Sequence, residues 1–540
     1  MPRTKKASPK PQSALVERFE RLYRGLNERT VVVSLLALAL VTRLLTIAKA
    51  SIWHDEGFTM MLVNRNPLEI WAGSGRDVHP PLYYELLHFW TSLFGRSEFA
   101  ARSMSAVAGV ATLYVCYLLV RRYFSRLSAT IVLLILAVAP FLVRYSQEAR
   151  MYGLLGLFLI TATYAMLRAL EPKANRRWWI VYAVMMAAGL YTHYFTALVV
   201  AAHWLYIMTL TPFHSWRIGK TAWLSKDWWL ANFGIVLLWL PWLPSFYGQF
   251  TRGQGISWIP KSDIFTLPNN IWQNLTFTDG RQLPMLVYWF VPVILILAAA
   301  WVTWHLRKQK PQVKMVFLYT FVPIILTIVV SVIKPVYQDR YLVFAANGMY
   351  MMLGIALGEM VREHHRGTAL LALASLLVIS VIGVTNVARQ ASHSMGRVGE
   401  YVGQNYQAGD ELVSAELYTY FDFTYYCQKN NTCRDSFFDT PEVESSGIME
   451  STIAPAIVKP GVRLNTSGGR PNGYGESALL YDRADAIYVD NLATIRPTSG
   501  RVWLIGKPGD KPYWKTTPAN WQQINEIRTN SSEARLYQVQ

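Results

Sequence analysis

The stretch SIWHDEGFTM, Ser51–Met60, places two adjacent carboxylates, Asp55 and Glu56, directly after an apolar segment. That segment, Thr30–Ala48, has about the length that an α-helix needs to cross a bilayer, about 20 residues. A charged pair at such a boundary is either the solvated end of a helix or part of a chemical site. The rest of the chain decides between these two interpretations.

The composition indicates a membrane protein. Hydrophobic residues make up 52% of the chain and charged residues only 16%, against about 25% charged in a typical soluble protein. About eleven apolar segments have the length of a membrane span, about 17–25 residues. They are Thr30–Ala48, Glu98–Val120, Leu127–Val143, Met151–Leu167, Trp178–Tyr194, Thr196–Thr211, Trp229–Tyr247, Leu283–Trp304, Met315–Ile333, Leu342–Met360 and Ala369–Val387. The sequence therefore predicts an all-α polytopic membrane domain.

The formal charge of +18 does not indicate nucleic-acid binding, because the Lys and Arg residues fall on alternate loops between the apolar segments. Threading all the predicted spans puts these basic groups on one side, which the positive-inside rule assigns to the cytoplasm. The groups are Arg3–Arg29, Arg121–Arg126, Glu171–Arg177, Arg217–Lys226, Arg307–Lys314 and Arg362–Arg366. We expect a multi-pass protein of the inner (plasma) membrane with a cytoplasmic basic tail over residues 1–28, which lacks a cleavable signal-peptide pattern.

The same threading puts the polar clusters on the outer face. The outer loop over residues 51–97 carries Asp77 and His79 before a Pro-Pro step, which opens an amphipathic stretch typical of an interfacial helix. RYSQEARMY contributes Arg144, Glu148, Arg150 and Tyr152, and IKPVYQDRYL contributes Lys334, Arg340 and Tyr341. Charges at membrane depth are costly unless they pair or serve a ligand. Basic residues on the outer side indicate an anionic ligand, and ion pairs that brace the loops are the alternative.

Four motifs in this order resemble the GT-C superfamily of membrane glycosyltransferases. The similar branch contains the protein O-mannosyltransferases, the aminoarabinose transferase of lipid A and the galacturonosyltransferases of lipopolysaccharide core. The motifs are the Asp55-Glu56 pair, HPPLYY at His79–Tyr84, RYSQEARMY at Arg144–Tyr152 and QDRYL at Gln338–Leu342. The resemblance extends from about Thr30 to Val387 and implies a GT-C catalytic domain over residues 29–391, with about 11 transmembrane helices.

The resemblance implies transfer of a sugar from a polyprenyl-phosphate-linked donor to a hydroxyl of a glycan, lipid or protein acceptor on the outer face. Asp55 matches the position of the general base, Glu56 is expected to orient the acceptor or backbone, and Asp77 is a second acceptor-side carboxylate. The expected phosphate- and substrate-binding residues are His79, Arg144, Glu148, Arg150, Tyr152, Lys334, Arg340 and Tyr341. Guanidinium groups suit this role because they bind phosphate oxygens in pairs.

A divalent metal ion is the candidate cofactor. The side chains of His54, Asp55, Glu56, Asp77 and His79 are of types that bind divalent ions. However, the sequence contains no fixed ligand spacing such as HExxH. It also contains no Walker motif and no GxGxxG, so no other cofactor is indicated.

The composition changes near Ser392, after which polar and glycine residues become common and no apolar span follows. We predict an extracytoplasmic small α/β domain over residues 392–540, with an all-β variant left open. The stretch GDELVSAELYTYFDFTYYC predicts a turn, a strand and a helix, and ADAIYVDN, GRVWLIGK and EARLYQVQ predict short strands. Cys427 and Cys433 are expected to form a disulfide in an oxidising compartment.

Two other functions stay open from the sequence. A transferase or ligase of lipid-linked oligosaccharides would share these motifs and differ in the size of its donor. A lipid or sugar transporter would have repeated halves and charges near the midplane of the membrane. The charges in this chain gather at one face, which favours an enzyme.

Overall fold

The computed structural model describes residues 25–210, 225–252, 259–363, 365–433, 461–471, 475–481 and 487–539. Most of the predicted basic tail and most of the Arg217–Lys226 group lie outside these ranges. The chain before Ser392 is built from helices, as its apolar segments predict.

In chain order, these helices are α1 (Glu28–Leu44), α2 (His54–Leu62), α3 (Pro67–Arg76), α4 (Leu82–Phe94), α5 (Glu98–Tyr123), α6 (Arg126–Ala137), α7 (Pro140–Ser146), α8 (Tyr152–Ala169), α9 (Arg177–Leu190), α10 (Thr196–Thr209), α11 (Lys226–Trp239), α12 (Leu243–Arg252), α13 (Thr266–Thr276), α14 (Met285–Leu306), α15 (Gln312–Ile333), α16 (Val343–Arg362) and α17 (Arg366–Gln390). A 3₁₀ turn, Asp339–Leu342, leads directly into α16.

Every apolar segment predicted from the sequence contains a helix. Within the described ranges, seven helical segments are long and apolar enough to cross a membrane, or eight if the bent α6–α7 pair counts as one span. The helices in three other predicted spans are shorter than these: α9 and α10 have 14 residues each, and α1 has 17. The membrane class is therefore supported, and the count of about eleven crossings stays a prediction.

The segment Leu127–Val143 is not the straight span that the sequence predicts. It is split into α6 and α7, which are bent by 58°. Pro140 occupies the first turn of α7, and a proline there cannot continue the preceding helix because its ring clashes with the carbonyl four residues earlier. Helix α7 packs against α1, α5 and α17, and residues 146–151 that follow are buried. The break thus carries the RYSQEARMY motif into the bundle.

Residues 51–97, the predicted outer loop, contain three helices. Helix α4 confirms the amphipathic helix predicted after the Pro-Pro step. Helix α2 was not predicted, and all nine of its residues are buried. Asp55 and Glu56 lie in its first turn, where negative charge is favourable at the positive end of the helix dipole.

The chain after Ser392 forms a small α/β domain, as predicted, and the all-β variant is excluded for the described residues. Its elements are α18 (Ser394–Asn405), β1 (Glu411–Ser414), α19 (Leu417–Lys429), β2 (Val462–Asn465), α20 (Ala478–Tyr481), β3 (Tyr488–Val489), β4 (Arg501–Gly506), α21 (Pro512–Lys515), β5 (Trp521–Arg528) and β6 (Glu533–Val539). The strand order is β3-β2-β1-β4-β6-β5. The first four strands in this order are parallel, and β6 is antiparallel to β4 and β5.

Helix α19 holds this domain against the outer loop of the membrane part. The Tyr426 hydroxyl accepts a 2.9 Å hydrogen bond from the backbone of Ile52, and Lys429 forms a 2.7 Å ion pair with Glu98. The Phe421 ring packs edge-on against Phe58 of α2. The predicted disulfide between Cys427 and Cys433 is present and closes the end of α19.

Gly57 is the point of closest approach between α2 and α19. A Cβ atom at this position would lie 2.6 Å from the carbonyl carbon of Phe421 and 2.8 Å from the amide nitrogen of Asp422. These are backbone atoms, so the contact cannot be relieved by a side-chain rotation. Only glycine allows the two helices to cross at this distance.

We predict that Gly57→Ala forces α19 away from α2 and lowers the free energy of unfolding by about 1–3 kcal/mol, the usual cost of overpacking. The matched control is Gly367→Ala in α17, where an added Cβ meets nothing within 4 Å. Thermal unfolding of the detergent-solubilised variants measures the difference. Equal melting temperatures for the two variants would contradict the tight crossing.

Candidate active site

The site is centred on the carboxylate of Asp55, in the first turn of α2. Asp55 is buried, with only 6% of its surface exposed. Its Oδ2 atom lies 3.4 Å from Nη2 of Arg340 and 3.9 Å from Nη2 of Arg150. The Arg340 guanidinium also lies 5.2 Å from the centre of the Trp53 ring. One carboxylate is thus held between two cations from distant parts of the sequence.

Arg150 fixes the position of the Asp55 backbone as well as neutralising its side chain. Its Nη1 atom donates to the Asp55 carbonyl oxygen at 3.3 Å and to the Thr59 hydroxyl at 3.1 Å. The Thr59 hydroxyl in turn donates to the same carbonyl at 2.8 Å. Only 3% of the Arg150 side chain is exposed, so we interpret Arg150 as part of the framework around Asp55.

Glu56 points away from Asp55 and is completely buried. Its Oε1 accepts hydrogen bonds from Nε of Arg102 at 2.8 Å and from the Ala149 amide at 2.7 Å. Its Oε2 accepts from Nη2 of Arg102 at 2.5 Å. The remaining N–H groups of Arg102 donate to the carbonyls of Ile47, Ala50 and Ser51. This network ties α2, α5 and two connecting segments together.

Asp77 lies at the end of α3 with His79 and Tyr84. Its Oδ2 atom is 3.4 Å from Nδ1 of His79 and accepts a 3.3 Å hydrogen bond from the Tyr84 hydroxyl. The side-chain amide of Gln249 on α12 donates to the backbone carbonyls of Ser74 and Asp77, at 2.7 Å each. The Asp77 and His79 side chains are both buried and form one unit.

His79 connects this unit to a row of aromatic rings beside Arg340. The row consists of His193, Tyr341 and Tyr152, and we call it the aromatic wall. The ring centre of His79 is 5.5 Å from that of His193, which is 5.1 Å from Tyr341. His193 packs as an aromatic residue between His79 and Tyr341.

Arg144, Glu148 and Tyr152 belong to the same RYSQEARMY segment as Arg150. Arg144 forms a 2.7 Å ion pair with Glu148 and keeps 30% of its side chain exposed. Burial raises the pKa of Glu148, although Arg144 opposes the shift. The Tyr152 ring lies 6.4 Å from the Tyr341 ring, on the aromatic wall.

Lys334 lies at the end of α15 on the surface. It is exposed, and its ammonium group lies 5.8 Å from the Phe250 ring of α12. Within the part of the chain that the structure describes, no contact joins Lys334 to the ion pairs of Asp55. Ion pairs join Asp55 to Arg150 and Arg340, and ring contacts join Tyr341 to His79 and Tyr152, whereas Glu56 faces Arg102.

The chain is similar to one protein-family model and, in fold, to several solved structures. Residues 78–243 match the family model described as dolichyl-phosphate-mannose-protein mannosyltransferase. A crystal structure of ArnT from Cupriavidus metallidurans in the apo state is similar over 94% of this chain and 97% of that chain, with a TM-score of 0.59 and 13% identity. The chain has the GT-C fold. The resemblance carried by the four sequence motifs is thereby confirmed.

Two more solved structures share the GT-C fold. ArnT from Cupriavidus metallidurans bound to undecaprenyl phosphate has a TM-score of 0.57 at 14% identity and covers 94% of this chain and 97% of that chain. The oligosaccharyltransferase of Archaeoglobus fulgidus tethered with an acceptor peptide has a TM-score of 0.50 at 11% identity, covering 74% of this chain and 63% of that chain. Among curated proteins, none matches the sequence.

The side chains predicted as metal ligands lie on two segments, the start of α2 and the residues that follow α3. No group of three or more His, Cys, Asp or Glu residues is arranged to hold a metal ion within the described ranges. Both oxygens of Glu56 accept hydrogen bonds from Arg102, and Asp55 faces two guanidinium groups. Asp77 and His79 of the predicted ligand set lie 3.4 Å apart. A divalent ion as cofactor stays a prediction from the sequence.

Arg102 is the important residue that the sequence analysis missed. It lies near the start of an apolar span, where a charge is costly unless it is paired. That position is a signal that the sequence offers. Its partner, Glu56, could not be identified, because 46 residues separate the two.

We predict that Arg102→Met destabilises the protein by about 3–5 kcal/mol, because it leaves the Glu56 carboxylate buried and unpaired. The matched control is Arg121→Met, which breaks the half-exposed pair with Glu28 and costs about 1 kcal/mol or less. Chemical or thermal unfolding of the purified variants gives both values. A small effect of Arg102→Met would show that the pair does not hold the site.

Proposed function

We propose that the chain is an inverting glycosyltransferase that moves a sugar from a polyprenyl-phosphate donor to an acceptor hydroxyl. The observation that carries this proposal is the buried Asp55 carboxylate between the guanidinium groups of Arg340 and Arg150. A transferase of this type needs a base for the acceptor and cations for the phosphate that leaves. The GT-C fold supports the assignment, and one similar structure, ArnT, is bound to undecaprenyl phosphate.

In the proposed reaction, Asp55 accepts the proton of the acceptor hydroxyl as the acceptor oxygen attacks the anomeric carbon. The bond between the anomeric carbon and the phosphate oxygen breaks, and its electron pair stays on the polyprenyl phosphate. The attack and the departure take place on opposite faces of the sugar, so the configuration inverts. The neighbouring guanidinium groups favour the ionised form of Asp55 before the acceptor enters.

Arg340 is the best-placed residue to bind the donor phosphate. Its guanidinium is close to Asp55, yet 17% of the side chain is exposed, so a ligand can reach it. Arg144 is also accessible and is the second candidate. Arg150 is buried and donates to the backbone of Asp55, so its proposed role is to position the base. Exposed Lys334 has the weakest support.

Glu56 and Asp77 take different places in this scheme. Because the Glu56 oxygens are occupied by Arg102 and the Ala149 amide, its proposed role is to fix α2. Asp77 is held by Tyr84 and His79 and is proposed to face the acceptor side. Tyr341 supplies an apolar wall next to Arg340.

We place this site on the outer face of the cytoplasmic membrane, with the domain after Ser392 also outside. The basic loops support this placement, because they lie on the opposite side under the positive-inside rule. The acceptor is a glycan, lipid or protein hydroxyl. Transfer of a lipid-linked oligosaccharide is the second candidate, favoured by the likeness to the Archaeoglobus fulgidus oligosaccharyltransferase.

Purified protein with radiolabelled polyprenyl-phosphate monosaccharide and membrane extract tests the proposal, with release of polyprenyl phosphate and formation of labelled product as readouts. We expect Asp55→Asn to lower the transfer rate by about 10²–10⁴-fold, because the amide cannot act as a base. Donor binding should be kept, and the melting temperature should fall because Arg150 and Arg340 lose their carboxylate partner, so the rates are compared at a temperature where both proteins are folded. The control is Asp510→Asn, an exposed carboxylate of the outer domain. A normal rate in Asp55→Asn would remove Asp55 as the base.

A second prediction concerns Arg340, which we expect to fail as Arg340→Lys although the charge is kept. Lysine cannot reproduce the planar pair of donors that guanidinium offers to phosphate. Initial rates against donor concentration should show a loss of at least about tenfold in kcat/KM, with an unchanged melting temperature. If Arg340 only braced the loops, Arg340→Lys would keep most activity, and Arg340→Ala would lose activity in proportion to its stability.

A further inference from the structure

The sheet of the outer domain has a topological switch point between β1 and β4. From β1 the chain passes through α19 to β2 on one side of β1, while β4 pairs with β1 on its other side. All three strands are parallel. In open α/β sheets, ligands bind beyond the carboxyl ends of the strands at such a switch point. In this domain that place lies just after Ser414 of β1 and Gly506 of β4.

Three side chains with complementary chemistry meet there. Lys507 directly follows β4, and its ammonium group lies 3.4 Å from the carboxylate of Glu416 and 4.7 Å from the centre of the Tyr418 ring. Tyr418 is 52% exposed, and Lys507 keeps 44% of its side chain exposed. We call this group, Glu416, Tyr418 and Lys507, the switch-point crevice. It presents a half-exposed aromatic ring with an ammonium group beside it, an acceptor and a donor of hydrogen bonds.

The switch-point crevice is next to the helix that carries Asp55. The ring of His54, the residue before Asp55, lies 4.9 Å from the Tyr418 ring and 5.3 Å from the Phe421 ring. Asp422 lies on α19, as Tyr418 and Phe421 do. Burial raises the pKa of Asp422 to about 7, and both His54 and Lys507 oppose this shift. Tyr418 therefore lies against the first residue of α2, which precedes Asp55 in the chain.

We propose that the switch-point crevice binds the saccharide part of the acceptor and presents its hydroxyl to Asp55. This inference rests on the proposed function, and it adds the chemical class of the acceptor. A sugar ring has an apolar face that packs on an aromatic ring and hydroxyls that both donate and accept hydrogen bonds. Tyr418, Glu416 and Lys507 supply partners for all three features.

The same side chains are a poor fit for a lipid chain or an extended peptide. A lipid chain needs a continuous apolar groove, whereas Glu416 and Lys507 keep charge at the open side of Tyr418. A peptide added as a strand needs a free sheet edge, and β1 and β4 are both interior strands of the sheet. The carboxylate and the ammonium group together also balance in charge, which suits the hydroxyls of a neutral sugar.

The test uses the full chain in detergent and the envelope glycan fraction, released from lipid by mild acid and tritium-labelled. Equilibrium dialysis without donor measures glycan binding, and the transfer assay measures turnover. We expect Tyr418→Ala to weaken glycan binding about tenfold and to raise the acceptor KM by the same factor, with donor KM unchanged. Tyr418→Phe, which keeps the ring, should bind nearly as well as the original chain. Lys507→Gln should weaken binding to a smaller extent.

The matched control is Ile524→Ala, which truncates another exposed side chain of the outer domain, on β5. It should leave binding and transfer unchanged. Equal glycan binding by Tyr418→Ala and the original chain would overturn the inference, as would an absence of binding by the original chain. Binding that depends on Tyr418 without any sugar transfer would instead contradict the proposed function, so the two failures are distinguishable.

Discussion

The paired hydrogen bonds between Glu56 and Arg102 are the interaction on which the site depends. Both side chains are buried, and an unpaired charge of either sign there would be strongly destabilising. Through Arg102 the same pair satisfies three carbonyls in the turn after α1, and through Glu56 it reaches the amide of Ala149. The first turn of α2 is therefore fixed from both sides of the bundle. Asp55 can face two guanidinium groups because its neighbour is anchored.

The sequence shows that the carboxylates of Asp55 and Glu56 are adjacent, but it does not show that the two face different partners. Successive residues of an α-helix point about 100° apart, so Asp55 and Glu56 necessarily face different surroundings. Which one faces the open side depends on Arg102 and Arg340, and both are far away in the chain. The motifs predicted that Asp55 and Arg340 belong to one site, and the structure brings them together. They did not distinguish accessible Arg340 from buried Arg150, because burial depends on packing.

Apolar length and strand patterns predicted most of the fold. The long helices follow from the long apolar segments of the sequence. Strands β1, β4 and β6 follow from short runs that contain apolar and β-branched residues. Strand β2 was missed although its four residues, Val462–Asn465, alternate between apolar and polar. Strand β5 was missed because WQQINEIR is mostly polar, as suits the edge of a sheet. Helix α2 was missed because it is buried on every side and has no amphipathic pattern.

The close crossing at Gly57 has a consequence for the way the two parts of the chain can vary. The backbone of α19 covers the helix that carries Asp55, so the domain after Ser392 packs directly against the candidate site. Exchanging this domain for that of a similar protein would require a partner whose helix approaches a bare backbone at the same depth. A domain whose helix placed a side chain at this crossing would tilt α2 and move the Asp55 carboxylate relative to Arg340. The two parts therefore depend on each other at this contact, although one is built from membrane helices and the other forms a separate sheet.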